Sequence, residues 1–124
     1  MLADTPLQIS IPAADKERAK QFYAEKLGLQ PYLESGFGVY YLCGGAKFAI
    51  VQSESAGQAT CSLMSWLVTD LDAEMAALRS RGVQFIDYDL PHLKTVNGVY
   101  EIYTDRIAWF HDSEGNLLAL AQIG

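Results

Sequence analysis

The chain has only two histidines and two cysteines, and neither pair has a spacing typical of acid–base or metal chemistry. The two histidines, His92 and His111, belong to no H-x-x-x-H or H-E-x-x-H arrangement, in which one helix face presents both rings to zinc. The two cysteines, Cys43 and Cys61, have no paired metal spacing. We interpret them as free thiols, with a disulfide between them left open. We interpret both histidines as surface residues, with an acid–base role for His92 on a lid loop as the alternative.

Two pairs of acidic residues are spaced closely enough to suggest a carboxylate dyad. Asp87 and Asp89 form one pair, and Asp112 and Glu114 form the other. Both pairs fall among turn-forming residues, so we interpret them as turn formers rather than as catalytic acids and bases. The chain also lacks a G-x-S-x-G nucleophile elbow, a P-loop and a G-x-G-x-x-G dinucleotide motif. No sequence motif therefore specifies a reaction.

The elements that must position these residues occur twice along the chain. Each copy runs from an apolar strand through an aspartate to a helical stretch that ends in glycine. Asp15 corresponds to Asp70 as the expected helix N-cap, and Gly28 corresponds to Gly82 as the expected helix stop. Each half later closes on a second apolar strand. We therefore predict an α+β fold built of two tandem βαβββ modules.

The expected organisation is one domain over residues 1–124, with module 1 at about 6–55 and module 2 at about 60–124. The small polar residues 52–60 are predicted to link the two modules. Alternation of polar and apolar residues and turn signals predict the strands. These strands are 8–11, 37–43, 47–52, 61–68, 83–86, 98–103, 107–111 and 117–122, and residues 87–97 are predicted to form a loop.

Composition narrows the classes of partner. The formal net charge is −6 and the basic residues are scattered, which argues against a nucleic-acid groove. No apolar run approaches the roughly 18 residues that a membrane span requires. The first residues also lack the basic start and apolar block of a signal peptide. We expect a cytoplasmic protein with neither nucleic-acid nor membrane partners.

Three segments resemble the vicinal oxygen chelate superfamily, which includes glyoxalase I, extradiol dioxygenases and bleomycin-resistance proteins. They are residues 11–29, residues 68–82 and the hairpin stretch 108–118. Residues 88–96 followed by that hairpin are similar to a bacterial subgroup labelled only as glyoxalase/bleomycin resistance-like. The resemblance implies that the eight strands of the paired modules form a half-open barrel. It also implies a homodimer with its site near the interface.

The resemblance further implies where a metal would be bound, because enzymes of the superfamily hold a divalent ion with His and Glu side chains at set positions. In this chain those positions fall on Gln8, Ala49, Met64 and Ala119. Alanine has no ligand atom, and a thioether or a lone amide oxygen is a weak ligand for such ions. We therefore expect no metal at these positions and no cofactor.

The same four residues predict the lining of the cleft, because strand side chains alternate between faces. If they point inward, so do Lys47, Trp66 and several small or apolar neighbours. Aromatic residues on the neighbouring strands would complete an apolar, aromatic surface, although the pattern does not fix which of Tyr40 and Tyr41, or of Tyr100 and Tyr103, faces inward. The predicted ligand-binding residues are Gln8, Tyr41, Ala49, Met64, Trp66, Tyr103, Trp109 and Ala119.

These features favour a metal-free protein that binds an apolar or aromatic small molecule. The alternative is a metal-dependent lyase or dioxygenase with unconventional ligands. A metal-independent isomerase that uses Glu101 or His92 is a further alternative, as is an accessory module whose barrel is filled by its own side chains.

Overall fold

The computed structural model describes all residues from 1 to 124. It contains two helices, α1 (Lys16–Leu27) and α2 (Leu71–Ser80). The first half has the strands β1 (Gln8–Ala13), β2 (Leu33–Glu34), β3 (Gly38–Cys43) and β4 (Ala46–Gln52). The second half has β5 (Met64–Leu67), β6 (Asp89–Leu90), β7 (Leu93–Lys94), β8 (Tyr100–Ile102), β9 (Asp105–His111) and β10 (Leu117–Gln122). Neither helix combines the length and apolar character needed to cross a bilayer.

Eight of these strands form two four-stranded sheets of the same design. Their strand orders are β1-β4-β3-β2 and β5-β10-β9-β8. In each sheet the strand before the helix pairs in parallel with the last strand of the same half, and the remaining pairs are antiparallel. The predicted α+β class is therefore confirmed. Neither sheet is closed, and the two sheets are not hydrogen-bonded to each other.

Several predicted boundaries differ from the structure. The short strand β2 lies where no strand is predicted, and residues 83–86 contribute only an isolated bridge from Phe85 to Phe110. The predicted loop 87–97 contains the hairpin of β6 and β7. Strand β5 begins at Met64 rather than at residue 61, because the residues before Leu63 are polar or small and lie exposed.

The two aspartates predicted as helix caps do cap the helices. The Asp15 carboxylate accepts a hydrogen bond from the Arg18 N–H at 3.0 Å, and the Asp70 carboxylate accepts one from the Ala73 N–H at 3.1 Å. Each aspartate thereby satisfies a donor that the first helical turn leaves free. Gly28 follows α1 with a φ of 71°, a left-handed conformation that glycine adopts at little cost.

The core is one cluster of fifteen buried residues contributed by both halves. In the first half, the Tyr23 ring of α1 lies 5.8 Å from the rings of Tyr41 and Phe48. In the second half, α2 packs against β10, and buried residues of both elements belong to this core. We call the face of each sheet that packs on the helices its covered face, and the opposite face its open face. The Phe48 and Trp66 rings, 6.5 Å apart, join the two sheets through their covered faces.

Candidate ligand-binding site

Ala119 and Trp109 lie on the open face of the second sheet. Ala119 pairs with Ser65 of β5 and with Trp109 of β9, and residues paired across strands share a face. The Trp109 ring contacts those of Tyr88 and Tyr100, with centroids 5.5 and 6.1 Å away. The open face of this sheet therefore has an aromatic cluster beside Ala119.

Met64 and Trp66 lie on the covered face of the same sheet. Met64 pairs with Leu118 and Trp66 pairs with Leu120, and both leucines belong to the core. Since adjacent strand residues point to opposite faces, Met64 and Trp66 point away from the face that holds Ala119. The prediction that these three side chains line one surface is wrong.

The cause is an error of one residue in the predicted register of β5. Leu63 stands seven residues before the cap Asp70, as Gln8 stands seven before Asp15. The Leu63 N–H donates to the Leu117 carbonyl at 2.9 Å, which continues the parallel ladder. Leu63, rather than Met64, is thus the counterpart of Gln8. This correction brings no metal ligand to the position, because a leucine side chain has no donor atom.

Gln8 and Ala49 lie on the open face of the first sheet, as their predicted common orientation requires. Gln8 pairs with Lys47, and Ala49 pairs with Ser10 and Tyr40. Gln8 is exposed, whereas Ala49 is fully covered by its neighbours.

Tyr41 occupies the covered face, so its predicted place beside Ala49 is wrong. It pairs with Phe48, and the two rings stack with centroids 4.8 Å apart. Tyr41 is only 1% exposed, and its hydroxyl has no hydrogen-bond partner. Burial, with a smaller effect of the nearby Glu34 carboxylate, raises the pKa of the Tyr41 hydroxyl to about 12. The side chain therefore acts as a neutral core aromatic.

Tyr103 stands apart from all the other predicted site residues. It follows β8 in the turn to β9, it is 99% exposed, and its φ is 55°. A left-handed conformation is uncommon for a tyrosine and is mildly strained. The structure thus brings Tyr103 to neither of the apolar cavities described below.

The metal positions implied by the resemblance hold no group of ligands. Ala49 and Ala119 are 0% and 1% exposed. Across residues 1–124, no group of three or more His, Cys, Asp or Glu side chains is placed to hold a metal ion. A catalytic divalent ion needs about three protein ligands. The residues present therefore do not fit the metal of the superfamily's enzymes.

Two apolar cavities flank Trp66, which contributes to the walls of both. The first, which we call the Met64 cavity, has a volume of about 320 Å³ and lies between the turn of β3 and β4, the strand β1 and the strand β5. Its lining is Ile9, Cys43, Gly44, Ala46, Lys47, Phe48, Met64, Ser65, Trp66 and Leu67. The second, which we call the Leu27 cavity, has a volume of about 250 Å³ and lies between the end of α1 and α2. Met64 and Trp66 are the predicted site residues that these cavities include.

The Met64 cavity has mostly apolar walls and one charged side chain. Phe48, Met64 and Trp66 supply large apolar surfaces, and Lys47 is the only ionised residue of the lining. The Lys47 ammonium lies 5.9 Å from the centre of the Tyr32 ring. Nothing in the sequence marks Cys43 or Ile9 as lining residues, because both stand in ordinary strand patterns. The arrangement can hold an aromatic ring and place an anionic or polar substituent near Lys47.

The turn between β9 and β10 joins the two halves of the molecule. Asp112, Glu114 and Asn116 are all buried there. The Glu114 carboxylate accepts hydrogen bonds from the Asp15 N–H at 2.8 Å and from the Arg18 guanidinium at 2.8 and 3.1 Å. The prediction that Asp112 and Glu114 lie in a turn is thus confirmed. The sequence does not indicate that these side chains are buried against the start of α1.

The stability of the protein should decrease in acid partly because of Glu114. Hydrogen bonds from Arg18, helped by the Asp15 N–H and the Ser113 hydroxyl, lower the pKa of this carboxyl to about 2. A lowered pKa contributes stability above the ordinary glutamate pKa of about 4.3, and that stability is lost as the pH falls toward 2. The difference in unfolding free energy between the wild type and Glu114→Gln should shrink over this range. Urea titrations from pH 7 to pH 2.5 measure it, and a constant difference would contradict the prediction.

The folded chain is an α+β protein of paired βαβββ halves whose candidate site lies where the halves meet. The sequence profile of the Glyoxalase/Bleomycin resistance protein/Dioxygenase superfamily matches residues 5–120. The chain belongs to this superfamily, as its resemblance to the vicinal oxygen chelate proteins indicates. No curated protein sequence matches it.

Solved structures with the same fold cover almost the whole chain. A glyoxalase/bleomycin resistance protein/dioxygenase from Alicyclobacillus acidocaldarius has a TM-score of 0.73 and 16% identity, covering 96% of this chain and 91% of its own. TnmS3, an antibiotic binding protein from Streptomyces sp. CB03234, has a TM-score of 0.64 and 23% identity, covering 100% and 99%. The oxidase ChaP-H2 has a TM-score of 0.70 and 20% identity, covering 98% and 95%. At these identities the likeness shows the fold alone.

Proposed function

We propose that this chain is a metal-independent binding protein for an apolar, aromatic small molecule, which acts as a homodimer in the cytoplasm and needs no cofactor. The site is the Met64 cavity. The observation that supports this assignment is the lining of that cavity, in which seven of the ten residues are hydrophobic and one is a lysine. Its volume of about 320 Å³ lies within the range of small-molecule pockets.

The chemistry of the lining indicates the kind of ligand. Trp66 and Met64 suit a flat ring, because aromatic and thioether groups both make favourable contacts with aromatic rings. Lys47 at the rim suits a carboxylate or phenolate substituent. TnmS3, with the same fold, is described as an antibiotic binding protein, which supports this class of function.

The metal-dependent lyase or dioxygenase is the weaker alternative. The oxidase ChaP-H2 has the same fold. In this chain, however, Ala49 and Ala119 occupy positions at which the superfamily's enzymes hold their metal, and Leu63 stands at the position of the first-strand histidine of module 2. An enzyme would therefore need ligands from elsewhere in the chain or from a partner.

A second copy of the chain completes this proposal. Large apolar side chains are exposed along both open faces, among them Leu33, Leu42, Leu67 and Ile102. Contact between two copies would cover them and would bring the open-face residues Gln8, Ala49, Trp109 and Ala119 toward a shared half-open barrel. In this arrangement residues 1–124 act as one domain, with modules at about 6–55 and 60–124. Sedimentation velocity tests the dimer directly.

The two tryptophans make a sharp test of the site, because they lie on opposite faces of one sheet. The probe is a nitronaphthoate, a flat aromatic anion whose nitro group quenches indole emission. In Trp109→Phe, which keeps Trp66, saturating probe should remove most of the emission. In Trp66→Phe, which keeps Trp109 on the opposite face and farther from the cavity, the emission should decrease much less. Isothermal titration of the same variants checks that each one still binds.

Three results would overturn the proposal. Quenching of Trp109 rather than Trp66 would place the ligand on the open face. We expect Lys47→Ala to weaken binding of the nitronaphthoate about fivefold, compared with the control Lys94→Ala. An unchanged Kd would exclude a role for Lys47 in binding. A stoichiometric divalent metal in the purified protein, found by elemental analysis, would favour the enzyme.

A further inference from the structure

The Leu27 cavity lies on the other side of Trp66 and has a different chemistry. It opens where the end of α1 meets α2, and eight of its nine lining residues are hydrophobic. The walls are Leu27, Leu29, Trp66, Leu67, Val68, Glu74, Leu78, Phe110 and Leu120. None of Gln8, Ala49 and Ala119, which lie on the open faces at positions where the superfamily's enzymes hold their metal, contributes to it. It shares Trp66 and Leu67 with the Met64 cavity, and its other walls lie on the opposite side of Trp66.

Two aromatic rings form its floor. Trp66 and Phe110 lie nearly parallel, with centroids 6.3 Å apart and an angle of 22° between the ring planes. Phe110 is fully buried, whereas Trp66 is only partly covered, so part of the indole faces the cavity. A ligand ring can contact this surface at a favourable offset or edge geometry. With a volume of about 250 Å³, the cavity accommodates one ring and a short chain, not an extended polymer.

Glu74 gives the cavity its charge. It is the only ionisable residue of the lining, and no Lys, Arg or His lies within 4.0 Å of its carboxylate. Asp72, two residues earlier on α2, is in contrast paired with Arg106 at 2.9 Å. The cavity is thus apolar with a single negative group, in the first turn of α2, that forms no ion pair.

We propose that the Leu27 cavity binds a small arylalkyl ammonium ion, with its ring against Trp66, which Phe110 supports from behind, and its ammonium group on Glu74. The apolar walls supply most of the affinity, because an ion pair with a solvent-exposed carboxylate is weak. The carboxylate supplies selection for the charged amine over neutral and anionic relatives of the same shape. The two cavities share Trp66 and Leu67 but differ in charge, since the only charged group of the Met64 cavity is the cation Lys47.

The test uses phenethylammonium, with phenylethanol and phenylacetate as neutral and anionic probes of similar shape. The protein has two indole N–H resonances, which Trp66→Phe and Trp109→Phe assign. Phenethylammonium should shift the Trp66 resonance with saturation and leave that of Trp109 in place. Phenylethanol should bind at least about threefold more weakly and phenylacetate more weakly still.

A matched pair of variants separates the role of Glu74 from net charge. Glu74→Gln should weaken the binding of phenethylammonium about fivefold. Asp72→Asn, which removes the same charge from the same helix, should change the Kd of phenethylammonium by less than about twofold. Equal binding of phenylethanol, equal effects of the two variants, or movement of the Trp109 resonance instead would each overturn the site. Lys47→Ala should weaken the binding of the nitronaphthoate but not that of phenethylammonium. The proposals for the two cavities can therefore be contradicted separately.

Discussion

Replacing Asp112 by alanine should lower the free energy of unfolding by about 3–5 kcal/mol, which is a large part of the stability of a small domain. Its carboxylate is buried and accepts four hydrogen bonds. Two come from the backbone N–H groups of Glu114 and Asn116, at 2.8 and 3.0 Å. The other two come from the Tyr23 hydroxyl at 2.7 Å and from the Asn116 side-chain amide at 3.0 Å. Alanine would leave all four donors buried without an acceptor.

Tyr23→Phe is the matched control, because it removes the hydroxyl that donates one of these four hydrogen bonds and leaves the Asp112 carboxylate in place. Burial and the neighbouring Asp112 carboxylate raise the pKa of the Tyr23 hydroxyl, so it remains a neutral donor at all ordinary pH values. The phenylalanine variant should lose about 1 kcal/mol. Urea unfolding of the two variants at pH 7 measures both values. Equal losses would mean that the Tyr23 bond alone accounts for the role of Asp112.

This turn also affects the candidate sites, because it fixes how the two halves meet. The Asn116 amide donates to the Pro12 carbonyl at 2.7 Å, at the end of β1. Strand β1 contributes Ile9 to the Met64 cavity, and helix α1, which follows β1, contributes Leu27 to the other cavity. Both cavities therefore depend on contacts that the turn makes across the junction.

The sequence predicts the local structure well where the determining residues are close together. Asp15 and Asp70 cap their helices, and Gly28 ends α1 in a left-handed conformation, as predicted. Capping depends on hydrogen bonds within about four residues, so residue types alone carry the information. The repeat of these signals likewise indicates two similar halves, and the two sheets have the same strand order.

The orientation of side chains in the site could not be predicted in the same way. Strand β5 reads Met64-Ser-Trp-Leu67, which places an apolar residue on each face, so the pattern does not fix the register. The runs Phe48–Val51 and Leu117–Ala121 are continuously apolar and have no alternation at all. A shift of one residue then reverses every side chain, and for this reason the sequence wrongly predicts Trp66 and Ala119 on one surface.

The buried polar turn could not be predicted for a different reason. Glu114 and Arg18 are 96 residues apart in sequence, and their contact depends on how the two halves pack. Acidic residues beside a glycine are common in exposed turns. Only the tertiary structure distinguishes an exposed turn from one that is buried against the start of another helix.

Gly57→Ala should lower the free energy of unfolding by about 2–4 kcal/mol, although residue 57 lies in the segment predicted to be a simple linker. Gly57 has a φ of 79°, which is strained for any residue with a side chain. A Cβ atom there would lie 2.8 Å from the Glu114 carbonyl oxygen and 3.5 Å from the Gly115 Cα. These are backbone atoms, so they cannot move aside without shifting the turn. The Gly57 N–H also donates to the Asn116 side chain at 3.2 Å, and that bond would be displaced.

Gly36→Ala is the matched control for this substitution. The Cβ of an alanine at position 36 would have no heavy atom within 4 Å, and Gly36 has no positive φ. Its replacement should change the stability by no more than about 0.5 kcal/mol. Urea unfolding of the two variants and of Gly57→Ala combined with Asp112→Ala provides the measurement. Because Gly57 and Asp112 both act on the same turn, the combined loss should be smaller than the two single losses added together. Additive losses would instead mean that the linker and the turn stabilise the junction independently.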